Sequence, residues 1–296
     1  MKIQTLKALL RIHEAGSIRA AAQTLHISQP ALTLAIQQLE EEVGAPLLTR
    51  TKRGVTFTAY GNSLLKHAQL IVSESQRINE EIAQMRGDWE GQIRLSSSPA
   101  ISLSILPRAL RPFMAKHPNI EVHCIDGVSP MINPALRSGA LDFALTPVEL
   151  NHIEPGLNAE PLCEREIVIA THKSNPLVNA TSLAELQNAR WVYATPRPGP
   201  GALIEKAFNA AGLNAPAPVM ICESLLALPD LLADTSLVTT LPNIIFERAQ
   251  QSHGLHAIPI TDTLPTLEIA ILRLENVPLT PAANELLSWV RFVSKN

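Results

Sequence analysis

One stretch constrains this chain more than any other: Ser17 to Arg53, SIRAAAQTLHISQPALTLAIQQLEEEVGAPLLTRTKR. Ser17 stands where a helix N-cap belongs, and Ala20, Ala21, Ala22 and Leu25 follow at helical spacing. A face of alanines lets a second helix approach closely. His26 and Ile27 break the pattern, and Ser28 opens a second helix with Pro30 in its first turn, where the missing N–H matters little. Ile27 and Leu32 are spaced as a hydrophobic staple around that cap. Leu32, Ile36, Leu39 and Val43 then make the stripe expected to be buried.

That stripe leaves Gln29, Pro30, Thr33, Leu34, Gln37 and Gln38 facing outward. By itself the pattern fits any pair of helices joined by a tight turn, with Gln and Thr merely solvated. It also fits a helix-turn-helix, whose second helix offers its N-terminal residues to base edges in the major groove. Gln suits adenine through a bidentate pair, and Thr can meet several base edges. The run Arg50, Lys52, Arg53, Gly54 favours the second reading. Three cations around a glycine turn, then Val55, Thr56, Phe57 and Thr58, read as the tip and return strand of a wing that meets phosphates or the minor groove.

The segment from Ala20 to Gly61 resembles the winged helix-turn-helix of LysR-type transcriptional regulators. That family carries AA-x-x-L-x-x-SQPA, then LE-x-x-[LV]-G, then a wing closing in LT-x-x-G. The corresponding residues here are Ala21–Ala22, Leu25, Ser28–Ala31, Leu39–Glu40, Val43–Gly44, Leu47, Arg50, and Thr58 with Gly61. Two positions depart: Leu34 replaces the basic residue common after the recognition-helix Ser/Thr, and Leu48 replaces Phe before the wing. The second is a tolerable core exchange; the first removes a polar contact. The resemblance assigns DNA contacts to Ser28, Gln29, Pro30, Thr33, Leu34, Gln37, Arg50, Lys52 and Arg53.

Charge is divided in the same sense. The net charge is −3, yet residues 1–73 carry eight Lys/Arg against four Asp/Glu, and residues 91–296 carry fourteen against eighteen. A basic head on an acidic body fits a localised phosphate contact. From Thr58 to about Asp88 a long helix is predicted, with Leu64, Ala68, Ile71, Ser75, Ile78, Ile82, Met85 and Trp89 repeating every 3.5 residues, the period of a coiled-coil seam. A single amphipathic helix packed on its own domain would show a similar stripe. The resemblance makes it a linker helix pairing two subunits through Leu64, Ala68, Ile71, Ile78, Ile82 and Met85, in a homodimer or homotetramer on a double-stranded operator. RNA polymerase is a further partner the resemblance admits.

From Gly91 short strands and helices alternate. Strands are expected at Gln92–Ser97, Ile120–Asp126, Leu141–Thr146, Ile167–Thr171, Trp191–Thr195, Val219–Cys222, Leu237–Thr240, His256–Ile260 and Leu267–Leu274. Helices are expected from Pro99 to about His117, near Pro130–Arg137, from Gly201, Ser224 and Pro242, and from Pro281 to about Val293. The reading is an α/β chain with parallel sheets. Its parts are a winged helix-turn-helix (1–58), a linker helix (59–89) and, by resemblance, a bilobal effector domain like a periplasmic binding protein (90–296). Lobe I is expected over about 91–162 and 266–296 and lobe II over about 163–265, with crossings near Pro161–Arg165 and Thr261–Pro265.

Ligands of open α/β sheets gather at carboxyl ends of strands. Ser98, Pro99, Ala100 and Ile101 follow the first such strand; Thr146 and Pro147 end another; Thr195, Pro200 and Gly201 lie in the TPRPGPG loop; Glu223 and Ser224 end a fourth. Ser98 and Ser224 read equally well as ordinary N-caps. The cleft is expected to hold a small anion with an apolar or aromatic body, and the two loops are similar to those of regulators of aromatic sulfonate degradation. An arylsulfonate or aromatic carboxylate is therefore the specific expectation.

Other classes fare worse. None of the nine His residues has metal-ligand spacing with another, and no GxSxG elbow, Walker loop or GxGxxG follows a strand. No enzyme, cofactor or metal is expected. Cys124, Cys163 and Cys222 are too scattered for a disulfide framework and read as thiols in a reducing cytoplasm. The opening MKIQTLKALLRIHEAG is interrupted by Lys7, Arg11, His13 and Glu14, so it does not read as a targeting segment, and no membrane span is expected. A free-standing solute-binding protein would explain the body but leave the head and seam without a purpose.

Overall fold

The computed structural model describes residues 1–51, 54–196, 203–233 and 236–295. The chain forms two compact units, one of Met1–Asp88 with Pro134–Leu141, the other of Trp89–Asn133 with Asp142–Asn296.

In the first unit α1 (Ile3–Ala15), α2 (Ile18–Thr24) and α3 (Gln29–Val43) surround a core of Leu9, Ile12, Ala21, Ala22, Leu32, Ile36, Leu39 and Leu47. The two serines that announce helices act as caps. Ser17 Oγ accepts from Ala20 N at 3.1 Å and Ser28 Oγ from Ala31 N at 3.3 Å. The expected stripe of α3 holds through Leu39, but Val43 is 43 % exposed because the helix turns away at Gly44. Ile27 is also exposed, so it covers little of the α3 start.

A hairpin of β1 (Leu48–Thr51) and β2 (Gly54–Phe57) follows. Thr58 then caps α4 (Ala59–Met85), accepting from Gly61 N at 3.0 Å while donating to Pro46 O at 2.7 Å. The helix ends three residues short of the expected Asp88. Within this unit Arg77 is buried, and its guanidinium donates to Gly139 O at 3.3 Å and Leu141 O at 3.1 Å.

The second unit holds two five-stranded sheets. The first contains β3 (Gly91–Ser97), β4 (Ile120–Asp126), β5 (Phe143–Pro147), β6 (Leu157–Arg165) and a late strand at Leu267–Leu274, in the order β4-β3-β5-late-β6. The second contains β7 (Ile167–His172), β8 (Arg190–Tyr193), β9 (Met220–Ile221), β10 (Leu237–Pro242) and β11 (Leu255–Ala257), in the order β11-β7-β10-β8-β9. The Leu267–Leu274 strand is β12. The remaining helices of the chain are α5 (Pro99–Ser102), α6 (Ile105–Lys116), α7 (Asn133–Arg137, which but for Asn133 belongs to the first unit), α8 (Leu203–Ala210), α9 (Leu228–Leu232), α10 (Asn243–His253) and α11 (Pro281–Ser294).

Four differences from the sequence reading have physical causes. The sheets are mixed: β3 runs parallel to β4 and β5, but β12 is antiparallel to β5 and β6, and β7 is antiparallel to β10 and β11. The chain returns to the first sheet from the second, so β12 enters from the opposite end. Strand β6 is an additional strand, and Cys163–Arg165 pairs with β12. The first crossing therefore falls at Glu166, not within Pro161–Arg165. The helix expected over Pro99–His117 breaks at Leu103–Ser104, where Ser104 leaves helical geometry and its Oγ donates back to Ala100 O at 2.6 Å. The element expected from Ser224 begins as a helix only at Leu228.

The first sheet packs against α6 and α11 through Ile93, Leu95, Phe113, Phe143, Ile269, Ile271, Leu286 and Val290. The second has separate clusters, around Trp191 and Phe208 and around Leu232, Leu241 and Phe246. Each such fully buried apolar side chain contributes about 1.5–3 kcal/mol, so each sheet has a core of its own.

Candidate nucleic-acid interface and ligand cleft

The outward face of α3 is as the sequence places it. Ser28, Gln29, Pro30 and Gln37 are exposed, Thr33 is half-buried and Leu34 is 55 % exposed. The cap at Ser28 fixes where this face begins. Two contacts then fix the hairpin against α3 and α4. Glu40 Oε1 accepts from Leu47 N at 2.7 Å and Leu48 N at 3.1 Å, which binds the end of α3 to the start of β1. Gly61, in the first turn of α4, lies so close to β1 that a Cβ there would sit 2.2 Å from Leu47 O. The Leu39–Glu40 and Thr58–Gly61 motif positions thus have a common physical basis. The far strand is pinned too: Val55 N donates to Gly16 O at 3.2 Å, and a Cβ on Gly54 would sit 2.8 Å from that same oxygen at φ +131°. Lys52 and Arg53 lie outside the described residues, as do the side chains of Arg50 and Thr51.

The expected seam of α4 divides in two. Ala68 is buried and Leu64 packs against the core of the head. Ile71, Ile78, Ile82 and Met85 are 40 %, 51 %, 45 % and 75 % exposed.

In the second unit the residues expected at the cleft behave differently from one another. Ser98 is buried; its Oγ caps nothing and has no hydrogen-bond partner among the described residues. Pro99 is half-buried, and Ala100 and Ile101 point into the protein, Ile101 being part of the first core. Only their backbone could meet a ligand. Thr146 is fully buried and its hydroxyl is occupied, accepting from Ser129 N at 2.9 Å and donating to Pro147 O at 3.3 Å. It positions the Ser129 turn. Ser224 is exposed and its Oγ accepts from Ala227 N at 3.2 Å within the turn that precedes α9, beside exposed Glu223. Thr195 is half-buried, and Pro200 and Gly201 lie outside the described residues.

A cavity of about 660 Å³ lies at the strand ends of the first sheet, and of the expected residues it uses Pro147 alone. Its apolar floor includes Leu157, Leu203, Leu267 and Leu272, and its polar lining includes Ser129, Asn133, Glu149, Glu154, Lys206 and Glu268. Asn133 is buried and bridges two of these, accepting from Ser129 Oγ at 3.2 Å and donating to Glu154 Oε1 at 2.9 Å. Lys206 of α8 pairs with Glu149 at 3.0 Å, joining the second sheet's helix to the loop after β5. These residues come from four separate segments of the chain, and no spacing in the sequence marks them as a group. Among the described residues no cluster of His, Cys, Asp or Glu could hold a metal ion, and no helix is long and apolar enough to cross a membrane.

A capped helix with an exposed face, a pinned hairpin and a body of two sheets are the parts expected of a DNA-binding regulator. Residues 3–62 match the bacterial regulatory helix-turn-helix protein, lysR family, and residues 86–293 match the LysR substrate binding domain. The chain belongs to the LysR family of transcriptional regulators, and it is a DNA-binding regulator, not an enzyme. It is 28% identical over 293 residues to the transcriptional regulator GalR of Pseudomonas putida, covering 97% of this chain and 73% of that protein. It is 29% identical over 176 residues to the SDS degradation transcriptional activation protein of a Pseudomonas species, covering 60% of this chain and 58% of that protein. The fold matches full-length CbnR in complex with its target DNA, with a TM-score of 0.73 and 23% identity over 99% of this chain and 100% of CbnR. LysR regulators act as oligomers.

Proposed function

We propose that this regulator reads its operator with Gln29, Thr33 and Gln37 of α3, holds the phosphates with Arg50, Lys52 and Arg53, and responds to a small anionic effector in the cleft of its body. The observation that carries the DNA reading is the exposed N-terminal half of α3, started by the Ser28 cap and backed by the Glu40 anchor. Ser28 and Pro30 shape the approach of that helix. Leu34, exposed and apolar, is suited to a thymine methyl and leaves polar base choice to its neighbours. Ile71, Ile78, Ile82 and Met85 pair the linker helices of two subunits, which places two reading heads on two half-sites.

For the effector, the buried and unpartnered Ser98 Oγ supports an anion at the end of β3. The proposed class is an arylsulfonate or aromatic carboxylate. The likeness over 176 residues to an SDS degradation transcriptional activation protein supports a sulfur oxyanion. Effector binding changes the closure of the two sheets' lobes, and the change reaches the paired heads through subunit contacts.

The test compares Arg53→Ala with Gln29→Ala in the full chain. Arg53→Ala should weaken binding to all duplexes and flatten the salt dependence by about one phosphate contact, whereas Gln29→Ala should relax base preference. Equal, sequence-independent losses for both would refute the division of roles. Titration calorimetry with 4-toluenesulfonate should give saturable heat; its absence, with binding of an unrelated metabolite, would refute the effector class.

A further inference from the structure

One short segment belongs to the body by chain connection and to the head by packing. Asn133 and Asp142 lie in the second unit, whereas Pro134–Leu141, between them, lie in the first with α4. The hold on α4 is close and polar. Arg77 is buried in mid-helix, and its Nη2 donates to Gly139 O at 3.3 Å and to Leu141 O at 3.1 Å. Gly139, at φ +71°, comes so near that a Cβ on it would stand 3.1 Å from Ser73 Cβ and 3.3 Å from Leu70 Cδ1. Spacings of three and four put Leu70, Ser73 and Arg77 on one face of α4. That face lies roughly a third of a turn round the helix from Ile71, Ile78 and Ile82. A buried guanidinium is costly to leave unbonded, so α4 has to follow the carbonyls that Arg77 holds.

The entry to the segment is tied to the cavity. Asn133 opens α7 and lines the cavity with Ser129 and Glu154, accepting from Ser129 Oγ at 3.2 Å and donating to Glu154 Oε1 at 2.9 Å. The preceding loop is fixed to the strand ends: Gly127 N donates to Ser97 O at 3.4 Å and Ser129 N to Thr146 Oγ1 at 2.9 Å. Within the segment Ser138 N donates to Pro134 O at 3.0 Å and Leu141 N to Ala135 O at 3.1 Å, and Leu136 is fully buried. It is a folded block, not a slack connection. At its exit Asp142 is locked to β3, its N donating to Arg94 O at 2.7 Å and its carboxylate accepting from Arg94 N at 2.6 Å.

We propose that the block of residues 133–142 carries the effector signal and that Arg77 is the positioning residue that passes it to α4. This rests on the reading that a small molecule in the body controls the paired heads, and it names the route. A ligand that draws on Ser129, Asn133 or Glu154 shifts the start of α7. Asp142 stays fixed on β3, so the block pivots there and Gly139 moves against α4.

Hydrogen exchange of the full-length chain tests the route without effector or operator. Wild type, Asn133→Ala, Arg77→Met and the double variant are compared, with thermal melts confirming folding and amides 286–290 of α11 as the internal reference. Asn133→Ala should speed exchange at amides 70–77 about threefold or more, and should have no effect there when Arg77 is already Met. Substitutions with no shared partner otherwise act additively. An equal acceleration with and without Arg77, or none at 70–77 with Arg77 present, overturns the route. If Arg77→Met fails to fold, Arg77→Lys replaces it, keeping the charge without the planar fork, and should cut the response at least about twofold; an undiminished response overturns the route. Titration with 4-toluenesulfonate separates this from the effector reading. When it binds, exchange at 70–77 should change in wild type and not in Arg77→Met, with heat retained in both; binding that leaves 70–77 unchanged in wild type overturns the route. No heat overturns the effector class alone, and the exchange of the four proteins still decides the route.

Discussion

Gly61→Ala is the sharpest test of how the wing is held to the recognition helix. The added Cβ would stand 2.2 Å from Leu47 O and 3.1 Å from both Leu47 C and Phe57 Cδ1. The first distance is about 0.8 Å inside the 3.0 Å that real Cβ atoms essentially never cross. The obstructing atom is backbone, so no side chain can rotate away. Overpacking of this kind costs about 1–3 kcal/mol, and a rigid obstacle puts the change at the upper end. In a unit of this size each kcal/mol lowers Tm by about 4–8 °C, which predicts a fall of about 12–24 °C for the unfolding of the N-terminal unit. Differential scanning calorimetry of the full chain measures it, with exposed Ser63→Ala as the control, expected within about 0.5 kcal/mol of wild type. Because Leu47 leads directly into β1, operator affinity should fall with stability even though no base contact is removed. A Gly61→Ala protein as stable as Ser63→Ala, with wild-type affinity, would refute the packing argument.

Glu40→Ala removes the acceptor of two amides and should destabilise the head by about 1–3 kcal/mol, with faster hydrogen exchange at Leu47 and Leu48; unchanged exchange at both would contradict the anchor. Ile78→Asp with Ile82→Asp should leave the melting profile near wild type but shift sedimentation towards smaller species, since both side chains are solvent-exposed in the protomer. The hydrogen bonds from Arg291 at 2.7 and 2.8 Å hold the Glu160 carboxyl below its usual 4.5, and burial opposes them only in part. A depressed carboxyl stabilises the fold fully above about pH 4.5 and loses that contribution as the pH falls through the folded value. Both side chains are more than a third exposed, so screening keeps the effect under about 1 kcal/mol. The stability gap between wild type and Arg291→Met should therefore close on acidification below pH 4.5; a gap that widens would reverse the sign.

What the sequence disclosed was local. The Ser17 and Ser28 caps and the stripe of α3 as far as Leu39 depend on neighbours within a few residues, and the structure retains them. The seam shows where locality fails: a 3.5-residue repeat does not say which partner covers it, and Ala68 and Leu64 turn to their own head. Strand β6 was hidden because Pro161 interrupts its pattern and its pairing with β12 bulges between Ile269 and Ala270. Parallel sheets were a natural inference from α/β alternation, but the direction of β12 follows from a return across the whole chain. The cavity was least legible. Asn133, Glu154, Lys206 and Glu268 converge only in three dimensions, whereas Ile101 and Thr146, prominent as strand-end residues, serve the core and the Ser129 turn.

Selection from a random duplex pool, with wild-type protein and Gln29→Ala in parallel, tests the central claim most directly. Wild type should enrich one motif with two related half-sites about one helical turn apart, or a multiple of it. Gln29→Ala should lose information at a few positions within each half-site while keeping their spacing. Enrichment of no motif by the wild type, or an identical motif from both proteins, would contradict the account that α3 reads the DNA through its N-terminal face.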